Sequence, residues 1–124
     1  MTSLILFLIV TMEYFFVLFS SNKEIMERLL AMQRIQRQND ILQQFHMKLR
    51  ADTDPEPVTN YLYQAKIIDE YALEEILSMQ TRRNKNKALL IKLRKVEDPN
   101  AFSEFVNGLE KEQPHLACIL LKEG

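Results

Sequence analysis

The sequence predicts an all-α fold: a six-helix antiparallel bundle preceded by a hydrophobic N-terminal segment. Three observations predict it. From Asn22 onward apolar residues recur at spacings of three and four. Pro, Asp, Asn and Thr punctuate these stretches at breaks of two to six residues, the connection length of a helical bundle. β-Branched residues alternate with polar ones for no more than a few positions, so no strand candidate arises. The chain has 124 residues, 47% of them hydrophobic, enough for one core, and no internal repeat or low-complexity tract.

The first helix carries Ile35, Ile41, Leu42, Phe45 and Leu49 on its apolar side. Ser21 or Asn22 is its candidate N-cap, with Glu24 in the first turn, and the polar stretch Arg34 to Asp40 allows a bend. The break Ala51-Asp52-Thr53-Asp54-Pro55 ends it. Pro57 fits the first turn of a second helix through Val58, Tyr61, Leu62 and Ala65, which closes before Ile67-Ile68. Asp69 caps a short third helix with Tyr71, Leu73, Ile76 and Leu77 as its apolar side and Glu70, Glu74 and Glu75 toward water. Thr81 caps a fourth with Ala88, Leu89, Leu90, Leu93 and Val96. Asp98-Pro99 opens a fifth carrying Phe102, Phe105, Val106 and Leu109, with Gly108 marking a frayed end. Gln113-Pro114 opens a sixth through Leu116, Ala117, Ile119 and Leu120. The expected core is Leu42, Phe45, Leu62, Ile76, Leu89, Leu90, Leu93, Phe102, Phe105, Leu109, Leu116 and Leu120.

Residues 1–21 form a separate segment ahead of the helical domain at 22–124. Leu4 to Phe19 reads LILFLIVTMEYFFVLF, sixteen residues with Glu13 as the one strongly polar member and no amphipathic period. As a helix it would span about 24 Å, short of the roughly 30 Å hydrocarbon core of a bilayer. Met1-Thr2-Ser3 lacks the basic n-region of a signal peptide. Three readings fit: a marginal membrane anchor, a helix covered by a partner or by the rest of the protein, and an upstream extension absent from the working protein, with Met12 and Met26 as alternative starts. Were residues 4–19 to insert, Lys23, Arg28, Arg34 and Arg37 behind them would keep the rest in the cytoplasm. A reducing compartment also suits the lone thiol.

Composition excludes several chemistries. Cys118 stands alone, so no intrachain disulfide forms, and in Leu116-Ala117-Cys118-Ile119-Leu120 it reads as a small buried apolar residue. His46 and His115 lie far apart without ligand-like neighbours, which leaves no metal site and no base for a thiol nucleophile. Gly108 and Gly124 are the only glycines, so no phosphate loop exists and no cofactor is expected. Nothing reads as an enzyme.

The run Thr81-Arg82-Arg83-Asn84-Lys85-Asn86-Lys87-Ala88-Leu89-Leu90-Ile91-Lys92-Leu93 resembles the fourth-helix signature of the caspase recruitment domain, in which Thr-Arg and a following Lys precede a Leu-Leu pair. Phe102-x-x-Phe105-x-x-x-Leu109 and then Leu116-Ala117-x-x-Leu120 are similar to its fifth and sixth helices. Val58 to Leu77 is similar to helices two and three, although Ala65-Lys66 lacks the Gly often found at that turn. The resemblance covers Asp40 to Leu121. It implies a death-fold bundle without an active site that binds another domain of its kind, a caspase or an adaptor, in apoptotic or inflammatory signalling, and that often self-associates into filaments.

The charges, 16 basic against 17 acidic, are sorted along the chain. Residues 52 to 80 hold seven acids and one base, Lys66; residues 81 to 95 hold seven bases and no acid. The expected partner-binding basic face is Arg82, Arg83, Lys85, Lys87 and Lys92, joined by Arg37, Lys48 and Arg50; the acidic face is Asp69, Glu70, Glu74 and Glu75. Basic residues opening a helix oppose its dipole, so local stability does not account for them. Arg82 and Arg83 are favoured over the lysines because a guanidinium binds a carboxylate bidentately, and reversing both to Glu is expected to abolish binding without altering the fold. A nucleic-acid binder using Arg82 to Lys95 is the rival class; the acidic neighbours and the lack of stacking aromatics disfavour it. A third class is a membrane protein whose bundle is a cytoplasmic head.

Overall fold

The computed structural model describes residues 22–123, all of whose regular structure is helical. Among the described residues the helices are α1 (Lys23–Gln44), α2 (His46–Asp52), α3 (Pro55–Gln64), α4 (Glu70–Ser78), α5 (Arg82–Lys95), α6 (Ala101–Glu112) and α7 (Pro114–Glu123). The apolar segment at 4–19 lies outside the described residues. The chain clusters into two compact units, residues 1–33 and 34–124. In the described part of the first, Ile25, Met26, Leu29, Leu30 and Met32 are all exposed. The second unit holds the core.

The expected first helix is two helices. Arg34 to Asp40 remains regular, with Gln36 Nε2 donating to Asp40 Oδ1 at 3.1 Å. The break falls instead at Phe45, whose φ of −99° and ψ of 13° leave the helical region. No Gly or Pro signals it; packing sets it, since Phe45 lies against the core while Leu49 on α2 is fully buried. Phe45 is therefore a half-buried flank of the core and not one of its centres.

Ile41, Leu42, Val58, Leu62, Ala72, Ile76, Leu89, Leu90, Leu93, Phe102, Phe105, Val106, Leu109, Leu116, Ala117 and Leu120 all lie within one buried cluster. α3 is central, packing against α4, α5 and α6, while α2 packs on α5 and α6 on α7. Two expected stripes are rotated. Tyr71 is 84% exposed, because α4 buries Ala72 and Ile76. Cys118 is exposed, because α7 buries Leu116, Ala117 and Leu120 and position 118 falls on the outer side.

The caps follow the sequence closely. Asp69 Oδ1 accepts from Ala72 N at 2.8 Å and Thr81 Oγ1 from Asn84 N at 3.1 Å. α3 closes in a Schellman motif: Lys66 N donates to Tyr63 O and Ile67 N to Leu62 O, with Ile67 and Leu62 both buried. Lys66 takes the left-handed φ of 64° that the resembled family commonly gives to Gly. α6 starts at Ala101 and not at Asp98, because Asp98 Oδ1 accepts from Asn100 N at 2.8 Å and makes a turn first. Gly108 is no frayed end: α6 continues to Glu112, and a Cβ at 108 would lie 3.1 Å from Tyr61 Cδ1. That close approach of α3 and α6 is held by Tyr61 Oη donating to Glu104 Oε2 at 3.0 Å, which raises the phenol above its usual pKa, and by Lys111 Nζ 4.6 Å from the Tyr61 ring centroid.

Candidate interaction surface

α5 carries the basic run, and its residues fall into distinct environments. Arg82 is turned back onto its own domain: Nε donates to Thr53 O at 2.9 Å and Nη2 to Asp52 O at 2.8 Å. Lys85 is half-buried and pairs with Glu56 at 3.2 Å. Lys92 is half-buried. Arg83 and Lys87 are exposed and have no ion-pair partner among the described residues. The charge-reversal pair chosen from sequence therefore mixes an exposed cation, Arg83, with one that fastens the fold, Arg82.

Asn86, unremarked in the sequence, explains why. It is fully buried on α5, and its Nδ2 donates to Arg50 O at 2.9 Å and to Thr53 O at 2.8 Å. From the α6–α7 corner Gln113 completes the arrangement, with Nε2 donating to Asp52 O at 2.6 Å and Oε1 accepting from Asp54 N at 2.7 Å. Arg82, Asn86 and Gln113 thus clasp the α2–α3 turn from two directions and satisfy carbonyls that the end of α2 leaves without helical partners. The polar letters T-R-R-N-K-N in the sequence hold such a signal only as an Asn at the helical spacing of Leu89, Leu90 and Leu93.

α4 carries the acidic residues. Asp69 is exposed but engaged as the N-cap; Glu70, Glu74 and Glu75 are exposed. Asp69 and Glu70 lie at the N-terminal end of α4 and are favourable with its dipole; Glu74 and Glu75 lie beyond the first turn and gain nothing from it. α4 packs directly on α5, and a groove of about 420 Å³ runs between them, lined by Ala72, Ile76 and Ile91 with Glu75 and Lys87, Lys92 and Lys95 beside them. Glu75 and Lys87 thus border one groove, so the two charged faces adjoin along part of their length.

The bases expected from the first helix divide as well. Arg37 is exposed, Lys48 pairs with Asp52 at 3.2 Å on its own helix, and Arg50 is half-buried with Nε lacking a partner among the described residues. Beside Arg50, burial and the positive charges of Arg94, Arg50 and Lys87 hold the His46 imidazole below its usual pKa. Among the described residues no His, Cys, Asp and Glu side chains group as metal ligands, and no helix is long and apolar enough to cross a membrane.

Comparison with curated proteins and with solved structures gives no match. A family model, the caspase recruitment domain, matches residues 39–123, from within α1 to the end of α7. That span holds the capped helices, the single core and the sorted charges described above, and the chain belongs to the caspase recruitment domain family.

Proposed function

We propose that this chain, whose family comprises protein-interaction modules that bind one another in apoptotic and inflammatory signalling, binds a partner domain of the same kind, on a caspase or an adaptor, by setting its basic surface at Arg83 and Lys87 against carboxylates and offering Glu70, Glu74 and Glu75 to bases. It acts in the cytoplasm as an adaptor or as a competing decoy. The observation that carries this reading is the exposure of both sets of charges without intramolecular ion pairs among the described residues. Each exposed pair contributes only about 0.2–1 kcal/mol, so several must act together and the contact must weaken with salt.

Two unlike faces on one domain make a heterologous contact, which repeats into a filament when it does not close. Self-association of the full chain therefore supplies a test without a known partner. Arg83→Glu with Lys87→Glu, and separately Glu70→Arg with Glu74→Arg, are each expected to stay monomeric in sedimentation velocity at low salt. Mixing the two variants restores matching charges and is expected to restore association. Variants that associate like the unmodified chain, or a mixture that does not associate, refute the charged-face reading.

A further inference from the structure

The outward side of α4 sets an aromatic ring among its carboxylates. Tyr71 is 84% exposed, more than any other large apolar side chain among the described residues. At about 100° per residue around the helix axis it falls between Glu74 and Glu75, roughly 60° and 40° from them, with Glu70 one turn before Glu74. The core covers the other arc, through Ala72 and Ile76. Glu75 borders the α4–α5 groove beside Lys87, Lys92 and Lys95, so bases of its own domain lie near it. Glu70 and Glu74 fall on the far side of Tyr71, exposed and without an ion pair among the described residues. Elsewhere the same ingredients are already joined: Lys111 Nζ lies 4.6 Å from the centroid of the Tyr61 ring, whose hydroxyl donates to Glu104. Tyr71 has the neighbouring carboxylates but no cation over its ring among the described residues.

We infer that Tyr71 is the seat for an arginine of the partner domain, and that in self-association this arginine is Arg83 of a second copy. The inference rests on the charged-face reading and names one contact within it. The face of a tyrosine ring is electronegative and attracts a cation within about 6 Å of its centroid. A guanidinium suits the place better than an ammonium, because it can lie flat on the ring while its fork of donors, in the same plane, reaches a carboxylate such as Glu74. Arg83 is the arginine of α5 left to do this. Arg82 is fastened to Thr53 and Asp52, and Arg94 is half-buried, whereas Arg83 is exposed and unpaired among the described residues. The ring also loses little freedom on binding, which is why Tyr and Arg recur among the few residues that dominate an interface.

The test is sedimentation velocity of the full chain at low salt. Tyr71→Leu keeps the apolar bulk and removes the ring; it is expected to weaken self-association on the order of tenfold and, at so exposed a position, to leave the thermal melt unchanged. Tyr71→Phe keeps the ring and should stay within about twofold of the unmodified chain. Arg83→Lys keeps the charge and loses the stacking plane, so it should weaken association several-fold beside Tyr71 and no further in the Tyr71→Leu chain. Tyr71→Leu removes no charge and should leave the salt dependence of association as it was, whereas Glu74→Gln should make it shallower. Tyr71→Leu associating like the unmodified chain, while the charge reversals abolish association, overturns this inference and leaves the charged-face reading standing. Tyr71→Phe as weak as Tyr71→Leu assigns the contact to the hydroxyl and overturns the stacked ring. Arg83→Lys costing the same in both backgrounds overturns the assignment to Arg83. Charge reversals without effect refute the charged-face reading itself, and an unmodified chain that stays monomeric refutes both.

Discussion

Replacing Arg82 by Ala should destabilise the domain, and the structure sets by how much. The side chain makes two charge-assisted hydrogen bonds, to Thr53 O and Asp52 O. Each carbonyl keeps a second donor when they are lost, Asn86 Nδ2 on Thr53 and Gln113 Nε2 on Asp52. Neither acceptor is orphaned, so the cost is the net value of the bonds without a desolvation penalty, about 1–2 kcal/mol for a partly exposed site. For a domain of this size that lowers Tm by about 5–15 °C. Arg83→Ala removes the same charge from an exposed position and should stay within about 0.5 kcal/mol. The sharper measurement is a double-mutant cycle by urea denaturation. Arg82→Ala and Asn86→Ala each leave Thr53 O with one donor; together they leave it with none, and Thr53 is only 1% exposed. The pair should therefore cost about 1 kcal/mol or more beyond the sum of the single changes. An Arg82→Ala melt matching that of Arg83→Ala, or an additive cycle, refutes the clasp and returns Arg82 to the exposed basic surface.

Lys66→Gly should stabilise the domain by about 0.5–1 kcal/mol in urea unfolding, because it relieves a side chain held at left-handed φ, less the entropy Gly adds to the unfolded chain. Gly108→Val should destabilise it by about 1–3 kcal/mol, since the Tyr61 ring, tied through Glu104, fills the space beside Gly108; a Tyr61→Ala background should abolish most of that loss. Leu89→Ala should cost about 2–5 kcal/mol, so a binding defect in that variant reports unfolding and not the interface. Stability should decline as pH falls through the ordinary histidine range toward the lower folded value of His46. The folded state holds His46 below its usual pKa, so the unfolded chain takes up the proton first; His46→Gln should flatten that decline in Tm measured against pH.

What was legible in the sequence was whatever local chemistry decides. Asp69 and Thr81 cap their helices because a short oxygen side chain beside an apolar run finds the free N–H groups of the first turn whatever lies beyond. The stripes of α5 and α6 were legible because 14 and 12 residues sample the helical period often enough to fix its phase. Nine residues in α4 sample it barely twice, which left Tyr71 on the wrong side. Tertiary packing alone sets the break at Phe45 and the meaning of Gly108, whose reason is an aromatic ring from a helix more than forty positions away.

The basic run shows why composition overstates an interaction surface. Seven bases in residues 81–95 suggest one continuous face, but a helix directs them around its whole circumference, and the fold engages those that point inward. Arg82 goes to the α2–α3 turn and Lys85 to Glu56, while Arg94 lies close enough to His46 to disfavour its protonation. Arg83, Lys87 and Lys95 remain on the exposed side without an ion pair among the described residues. On the proposed reading, specificity rests on position more than on net charge. Exchanging Arg83 with Asn84 keeps the total charge and the helix intact yet moves the guanidinium by about 100° around the axis. If the charged-face reading holds, that exchange should weaken self-association nearly as much as Arg83→Gln and make its salt dependence shallower than that of the unmodified chain. Self-association unaffected by the exchange would mean that a diffuse positive field suffices, and no single cation of α5 would then deserve a specific role.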